Sequence, residues 1–274
     1  MLHFVATYAL VQCSMCKMLI LRFGFFITLL LCSLQVDATS GSIVRIDTVM
    51  VTDQVRGRMI PVAIYIRPDL ETAESRLMPV ILNHGYDQNR GNAYLDYSYL
   101  AIALAQSGYF VVSIQHEQKD DSLLSMTPPF RDTRRSNWER GSANILAVLQ
   151  WLRVTHPLHY YAKLSLIGHS NGGDIAALFT AMHPELVHKL ITLDNRRMPL
   201  PRTSEPMIYS LRSSDLPADD EVLPASVSGV AENVRLVFLK RCTHNDMDNS
   251  GTRRQHKLIV RFVKEFLADE WKLR

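Results

Sequence analysis

Ser170 stands in the run Leu166-Ile167-Gly168-His169-Ser170-Asn171-Gly172-Gly173, with a glycine two residues away on either side. The preceding Lys163-Leu164-Ser165-Leu166-Ile167 has strand composition, and Asp174 to Met182 has helical composition. A serine on a sharp strand-to-helix turn presents its hydroxyl clear of the backbone. The turn forces positive φ and close approach of strand and helix, which tiny neighbours permit. Gly168, His169 and Gly172 are therefore read as the frame of a nucleophile. A neutral hydroxyl attacks poorly, so it needs a base, an acid that orients the base, and N–H donors for the developing oxyanion.

Four histidines follow Ser170: His183, His188, His244 and His256. His183 precedes Pro184, His188 leads into the run Leu190-Ile191-Thr192-Leu193, and His256 falls in a charged amphipathic stretch. His244 instead comes a short turn after the β-rich run Val234 to Leu239. That places it on a loop at the C-terminal end of a strand, where α/β sheets gather reactive groups. His244 is the expected base. For the acid, Asp215 follows the strand-like Pro206 to Leu211 and is the leading candidate. Asp194, which closes the run before it, is the alternative, and Asp219 and Asp220 are also in range. The oxyanion donors are expected to be the backbone N–H groups of Asn171, next after the serine, and of Tyr86. Tyr86 follows Pro79-Val80-Ile81-Leu82-Asn83 and a His84-Gly85 turn, where glycine lets the backbone aim an N–H inward.

The elements that must hold these groups alternate. After two antiparallel edge strands, Ile43 to Val49 and Ile60 to Ile66 with Gly57 between them, strands recur at 80–83, 110–114 and 164–167. Helices are expected near 97–106, 137–153 and 174–182. The alternation predicts a mainly parallel sheet covered on both faces. From Arg253 to Trp271, Leu258, Ile259, Phe262, Val263, Phe266 and Leu267 form a helical stripe that should pack on that sheet, with Ser250 or Gly251 near its N-cap. The stretch between Asp194 and Pro206 holds Pro199 and Pro201 and has little room for a helix, so no large cap is expected. Glu117 to Asn137 is polar, and it either walls the pocket or forms a disordered loop.

Together, Asn83-His84-Gly85-Tyr86, Gly168-His169-Ser170-Asn171-Gly172-Gly173 and Thr243-His244-Asn245-Asp246-Met247 resemble the oxyanion, elbow and histidine motifs of the α/β-hydrolase superfamily. The resemblance covers roughly residues 42–272. Ser107 to His116 looks like a strand of dienelactone-hydrolase-like and platelet-activating-factor-acetylhydrolase-like esterases. The superfamily implies an α/β fold and hydrolysis of an ester, thioester or amide through an acyl-enzyme, with no metal or organic cofactor. Its order of triad partners, serine then acid then histidine, is met by Ser170, each candidate aspartate and His244.

Composition limits the alternatives. The chain has 274 residues, enough for one domain of this type, and 47% of them are hydrophobic. A net charge of +3 argues against a nucleic-acid or anionic-membrane partner. Arginines cluster at Arg131, Arg134 and Arg135 and at Arg196, Arg197 and Arg202. Solvated loops explain these, though either group could face an anionic substrate. Residues 1–38 read as a leader, with apolar Phe25 to Leu31 after Lys17 and Arg22 and a cleavage-like Val36-Asp37-Ala38; Met15 or Met18 could be the start. The catalytic domain is then 39–274, secreted or periplasmic, without a stable membrane span after cleavage; an uncleaved leader would anchor it. Cys13, Cys16 and Cys32 lie in that leader, which leaves Cys242 as an inert loop thiol. Asp246 to Gly251 echoes a calcium loop, but Lys257 stands where the bidentate glutamate belongs, so no metal is expected.

The expected activity is therefore that of a serine hydrolase acting on a small-molecule carboxylic ester. A lipase, phospholipid acyl hydrolase or peptidase on the same triad is the enzymatic alternative. A hydrolase fold that has lost catalysis and binds a partner is the non-enzymatic one. Oligomeric state is open.

Overall fold

Strand and helix alternate along the chain as the apolar runs require, and the computed structural model describes residues 43–72, 74–224 and 233–269. The leader expected over 1–38 lies outside the described residues. β1 (Arg45–Asp53) and β2 (Arg58–Ile66) form a hairpin closed at Gly57, whose φ of 62° is the left-handed turn conformation glycine accepts. Then follow β3 (Pro79–Asn83), α1 (Ser98–Gln106), β4 (Phe110–Ile114), the single helical turn α2 (Phe130–Thr133), α3 (Arg135–Thr155) and β5 (Ser165–His169). The chain continues through α4 (Ser170–Met182), β6 (Lys189–Leu193), β7 (Met207–Arg212), β8 (Val234–Phe238) and α5 (Arg253–Ala268).

The eight strands lie in the order β1-β2-β4-β3-β5-β6-β7-β8. β1–β2 and β2–β4 pair antiparallel, and every later pair is parallel. Every residue of β3, β4, β5 and β6 is buried, as a parallel strand covered on both faces demands. Only β1 is an edge on that side. β2, expected at the edge, is internal because β4 pairs with its second side.

Two cores flank the sheet. One packs Trp138, Ile145, Leu149 and Leu152 of α3 with Ile175 and Phe179 of α4. The other packs Leu100 and Leu104 of α1 with Ile259, Val263 and Phe266 of α5. Burying one such side chain is worth roughly 1.5–3 kcal/mol, so the stripe on α5 supplies much of its docking energy. Thr252, next after Gly251, caps α5 in a capping box with Gln255, which puts Ser250 and Gly251 near the N-cap as expected. At the other end the buried Lys189 Nζ donates to the carbonyls of Phe266, Leu267 and Asp269 at 2.9, 2.7 and 2.6 Å. A cation there complements the helix dipole and satisfies orphan carbonyls.

No helix interrupts the β6–β7 connection, and the described residues form no large cap domain. The stretch from Glu117 to Asn137 is tied to the segments around it by hydrogen bonds. The Asp121 carboxylate receives Arg58 Nη1 and Nη2 at 2.8 and 2.5 Å, Leu124 N donates to Tyr86 Oη at 3.1 Å, and Arg134 Nε donates to Ser125 O at 2.8 Å.

Candidate active site

β5 ends at His169 and α4 begins at Ser170 itself, four residues earlier than helical composition alone indicates. Ser170 has φ 51°, a left-handed conformation that non-glycine residues rarely adopt and that surrounding structure must enforce. The enforcing contacts are steric. A Cβ on Gly168 would lie 2.3 Å from Gly172 O, and one on Gly172 would lie 2.3 Å from both Asn83 O and His84 O. Neither position can carry a side chain. A Cβ on Gly85 would sit 3.4 Å from Ser170 Cβ, so Gly85 borders the serine.

Ser170 Oγ lies 2.9 Å from His244 Nε2, and His244 Nδ1 lies 2.6 Å from Asp194 Oδ2. A carboxylate only accepts, so Nδ1 carries the proton and Nε2 faces the hydroxyl with its lone pair. Asp194, completely buried, accepts further from Ser213 N at 3.0 Å and Ser213 Oγ at 2.8 Å, and pairs with Arg212 at 3.1 Å. Burial, the largest single influence, pushes its carboxyl up. The His244 bond, the Arg212 charge and the Ser213 donors together outweigh it and hold the group below the usual range.

Asp215, the leading acid candidate from sequence, does not meet the His244 ring. Its Oδ1 accepts the backbone N–H of His244 at 2.8 Å. The reason is topological. β6 lies directly beside β5, so Asp194, with φ 55° immediately past its end, is turned toward the elbow. Asp215 comes three residues after the end of β7, one strand further away, and reaches the loop carrying the histidine instead. Asp219 pairs with Arg197, and the carbonyl of Asp220 accepts from Arg131 Nη2 at 3.3 Å, so neither approaches His244.

His169 does more than frame the turn. Its Nε2 donates to His244 O at 3.0 Å, so its Nδ1 accepts from Tyr97 Oη at 2.6 Å, and that same phenol accepts Gly85 N–H at 3.0 Å. Burial, helped by the nearby His244, pushes its pKa down to about 3, which keeps the imidazole neutral. The chain Gly85–Tyr97–His169–His244 thus ties the turn after β3 to the histidine loop. Neither Tyr97 nor the Arg212–Ser213 pair stands out in the sequence, since a buried tyrosine and an arginine at a strand end carry no motif.

Asn171 is 2% exposed, and its carboxamide is fully engaged. Trp138 Nε1 donates to its Oδ1 at 2.9 Å, while its Nδ2 donates to Glu117 Oε1 at 2.8 Å and Asn137 Oδ1 at 2.9 Å. Its backbone N–H lies in the first turn of α4, where N–H groups have no intrahelical acceptor. Asp174 Oδ1 accepts N–H groups of Arg196, Arg197 and Met198 at 3.1, 3.0 and 2.9 Å, tying the loop after Asp194 to α4; burial pushes its carboxyl up to about 6. The two arginine clusters meet here, with the Arg134 and Arg197 guanidiniums 4.5 and 4.2 Å from the centre of the Phe130 ring.

Cys242 is buried, and burial with nearby acids pushes its thiol up to about 12, so it is unsuited to attack. The carboxylates of the calcium-like run are engaged within their own loop. Asp246 Oδ2 accepts from Thr243 N and Oγ1, both at 2.7 Å, and Asp248 Oδ1 accepts from Ser250 N at 2.8 Å. His256 stacks on Tyr99 at 3.8 Å.

This geometry sits in a recognised lineage. The chain belongs to the α/β-hydrolase fold family, whose sequence description matches residues 78–241. A Haemophilus influenzae protein named as a putative esterase/lipase is 37% identical over 67 residues, covering 24% of this chain and 21% of that protein. The chain's matches span less than a third of the length of its curated relatives. A fungal esterase from Rhizomucor miehei superposes with TM-score 0.61 at 12% identity, covering 86% of this chain and 85% of that one. Dienelactone hydrolase from Anabaena variabilis superposes with TM-score 0.55 at 16% identity, covering 81% and 96%. At those identities the likeness is one of fold.

Proposed function

We propose that this protein is a serine hydrolase that cleaves carboxylic esters through an acyl-enzyme. The observation that carries the reading is the continuous chain from Ser170 Oγ through His244 to the buried Asp194, with links of 2.9 and 2.6 Å. In this reading Ser170 Oγ attacks the acyl carbon as His244 Nε2 takes its proton. The tetrahedral oxyanion is received by the N–H groups of Asn171 and Tyr86. His244 returns the proton to the leaving alkoxide, which departs as the alcohol. Water then attacks the acyl-enzyme with His244 again as base, releasing the acid and restoring Ser170. Asp194 holds the imidazole in its tautomer and stabilises the imidazolium.

Hydrolysis of p-nitrophenyl esters from acetate to long chains, by the full chain and by Ser170→Ala, tests this. The variant should lose about 10⁴-fold or more in kcat and fail to react with a fluorophosphonate. Full retention of esterase activity in Ser170→Ala would overturn the assignment. A folded protein that neither hydrolyses nor labels would instead be a hydrolase fold used for binding.

A further inference from the structure

Glu117 is the least expected group around the elbow. Its side chain is 2% exposed, yet among the described residues no lysine or arginine pairs with it. His84 Nε2, at 3.7 Å from Oε2, already accepts the backbone N–H of His116 at 2.9 Å and so offers no proton. Among the described residues Oε2 has no hydrogen-bond partner, while Oε1 receives Asn171 Nδ2 at 2.8 Å and Asn137 Nδ2 at 3.2 Å. Packing alone does not explain a carboxylate here, because apolar replacements of buried charged groups are often neutral or stabilising.

We propose, building on the hydrolase reading, that Glu117 is a positioning residue that fixes the direction of the Asn171 backbone N–H through the Asn171 side chain. The argument is one of restraint. Ser170 holds an unfavourable φ of 51°, and a relaxation there would swing both its Oγ and the next peptide N–H. Asn171 is the residue in position to prevent this, and its carboxamide is gripped from two segments at once. Asn137 and Trp138 grip it from the first turn of α3, and Glu117 from the stretch just after β4. Glu117 Oε1 accepts from both amides and so closes a triangle with Asn137 and Asn171. An oxyanion donor works only when aimed before the charge develops, so a clamp on that peptide acts on the transition state rather than on substrate binding.

The test uses full-chain Glu117→Ala and Glu117→Gln with p-nitrophenyl acetate, thermal unfolding, and inhibition by phenylboronic acid as a tetrahedral mimic. Removing an oxyanion donor costs about 10²–10³-fold, and Glu117→Ala misaims rather than removes one, so kcat should fall about ten- to a hundredfold with KM within about threefold. Boronate affinity should fall in parallel. Glu117→Gln keeps an acceptor oxygen for both amides and should recover most of kcat. If Glu117→Ala does not fold, Asn137→Ala reads the same split, with kcat lower by about two- to tenfold at constant KM. Ser170-dependent hydrolysis left unchanged by Glu117→Ala would overturn this inference alone. So would equal losses in Ala and Gln that track the unfolding temperature. A wild-type protein inert to ester and fluorophosphonate would overturn the hydrolase reading itself.

Discussion

Asp194 and Asp215 both bind His244, but at opposite ends of the residue. Asp194 takes the ring Nδ1 from full burial, backed by Arg212 and Ser213. Asp215 takes the backbone N–H from an exposed loop. One aspartate can set tautomer and imidazolium charge; the other can only set where the loop lies. A third contact, from His169 Nε2 to the His244 carbonyl, also works on the backbone. Proximity to a histidine therefore does not define the acid of a triad; the atom contacted and its dielectric surroundings do.

The sharpest way to break this comparison is Asp194→Asn. An amide can present a donor to Nδ1 and reverse the tautomer, so kcat should drop by about 10³–10⁴-fold with the fold intact, read by stopped assays and circular dichroism. A loss of that size in Asp215→Ala instead would exchange the two roles.

The second effect concerns stability against pH. His169 has a folded-state pKa of about 3 against 6.5 in the unfolded chain, so the unfolded state binds the extra proton. The stability this neutral imidazole contributes is present above pH 6.5 and is lost as pH falls from 6.5 toward 3, by several kcal/mol as an order of magnitude. His169→Gln cannot titrate and should reduce the slope of unfolding temperature against pH across that window by about one proton's share. His116 and His159, also pushed down by burial, keep theirs. An unchanged acid limb would show that His169 is not what couples folding to protons there.

Asp215→Ala is the smallest expected effect. Its contact is made from an exposed loop and is screened, so kcat should fall by about tenfold or less with Asp194 untouched.

Much of this architecture is legible in the amino-acid sequence. The strand positions, the absence of a helix between β6 and β7, the serine on its elbow and the placing of His244 on a loop past the last strand all follow from local composition and order. The start of α4 does not, because Gly172 and Gly173 have poor helix propensity, and the helix is held by packing against β3 and Asn195 instead. Nor does the carboxylate that meets the His244 ring, because Asp215 and Asp194 both satisfy the chain order and no local signal separates them. Glu117, Tyr97 and Arg212 leave no trace in the sequence pattern, each being an ordinary residue within, at the end of, or beside an apolar run.

What the sequence determined by itself is everything governed by neighbours along the chain: apolar period, glycines at a turn too tight for a Cβ, a serine between them, a histidine after the last strand. What only the tertiary structure decided is everything governed by neighbours across the sheet. Strand order put β6, not β7, against β5 and so gave the imidazole Asp194. It also brought Glu117, just past β4, and Asn137 from α3 onto one carboxamide. Hydrogen bonds of 2.6–2.9 Å between residues 34 to 74 positions apart depend on that order, and no local pattern encodes it.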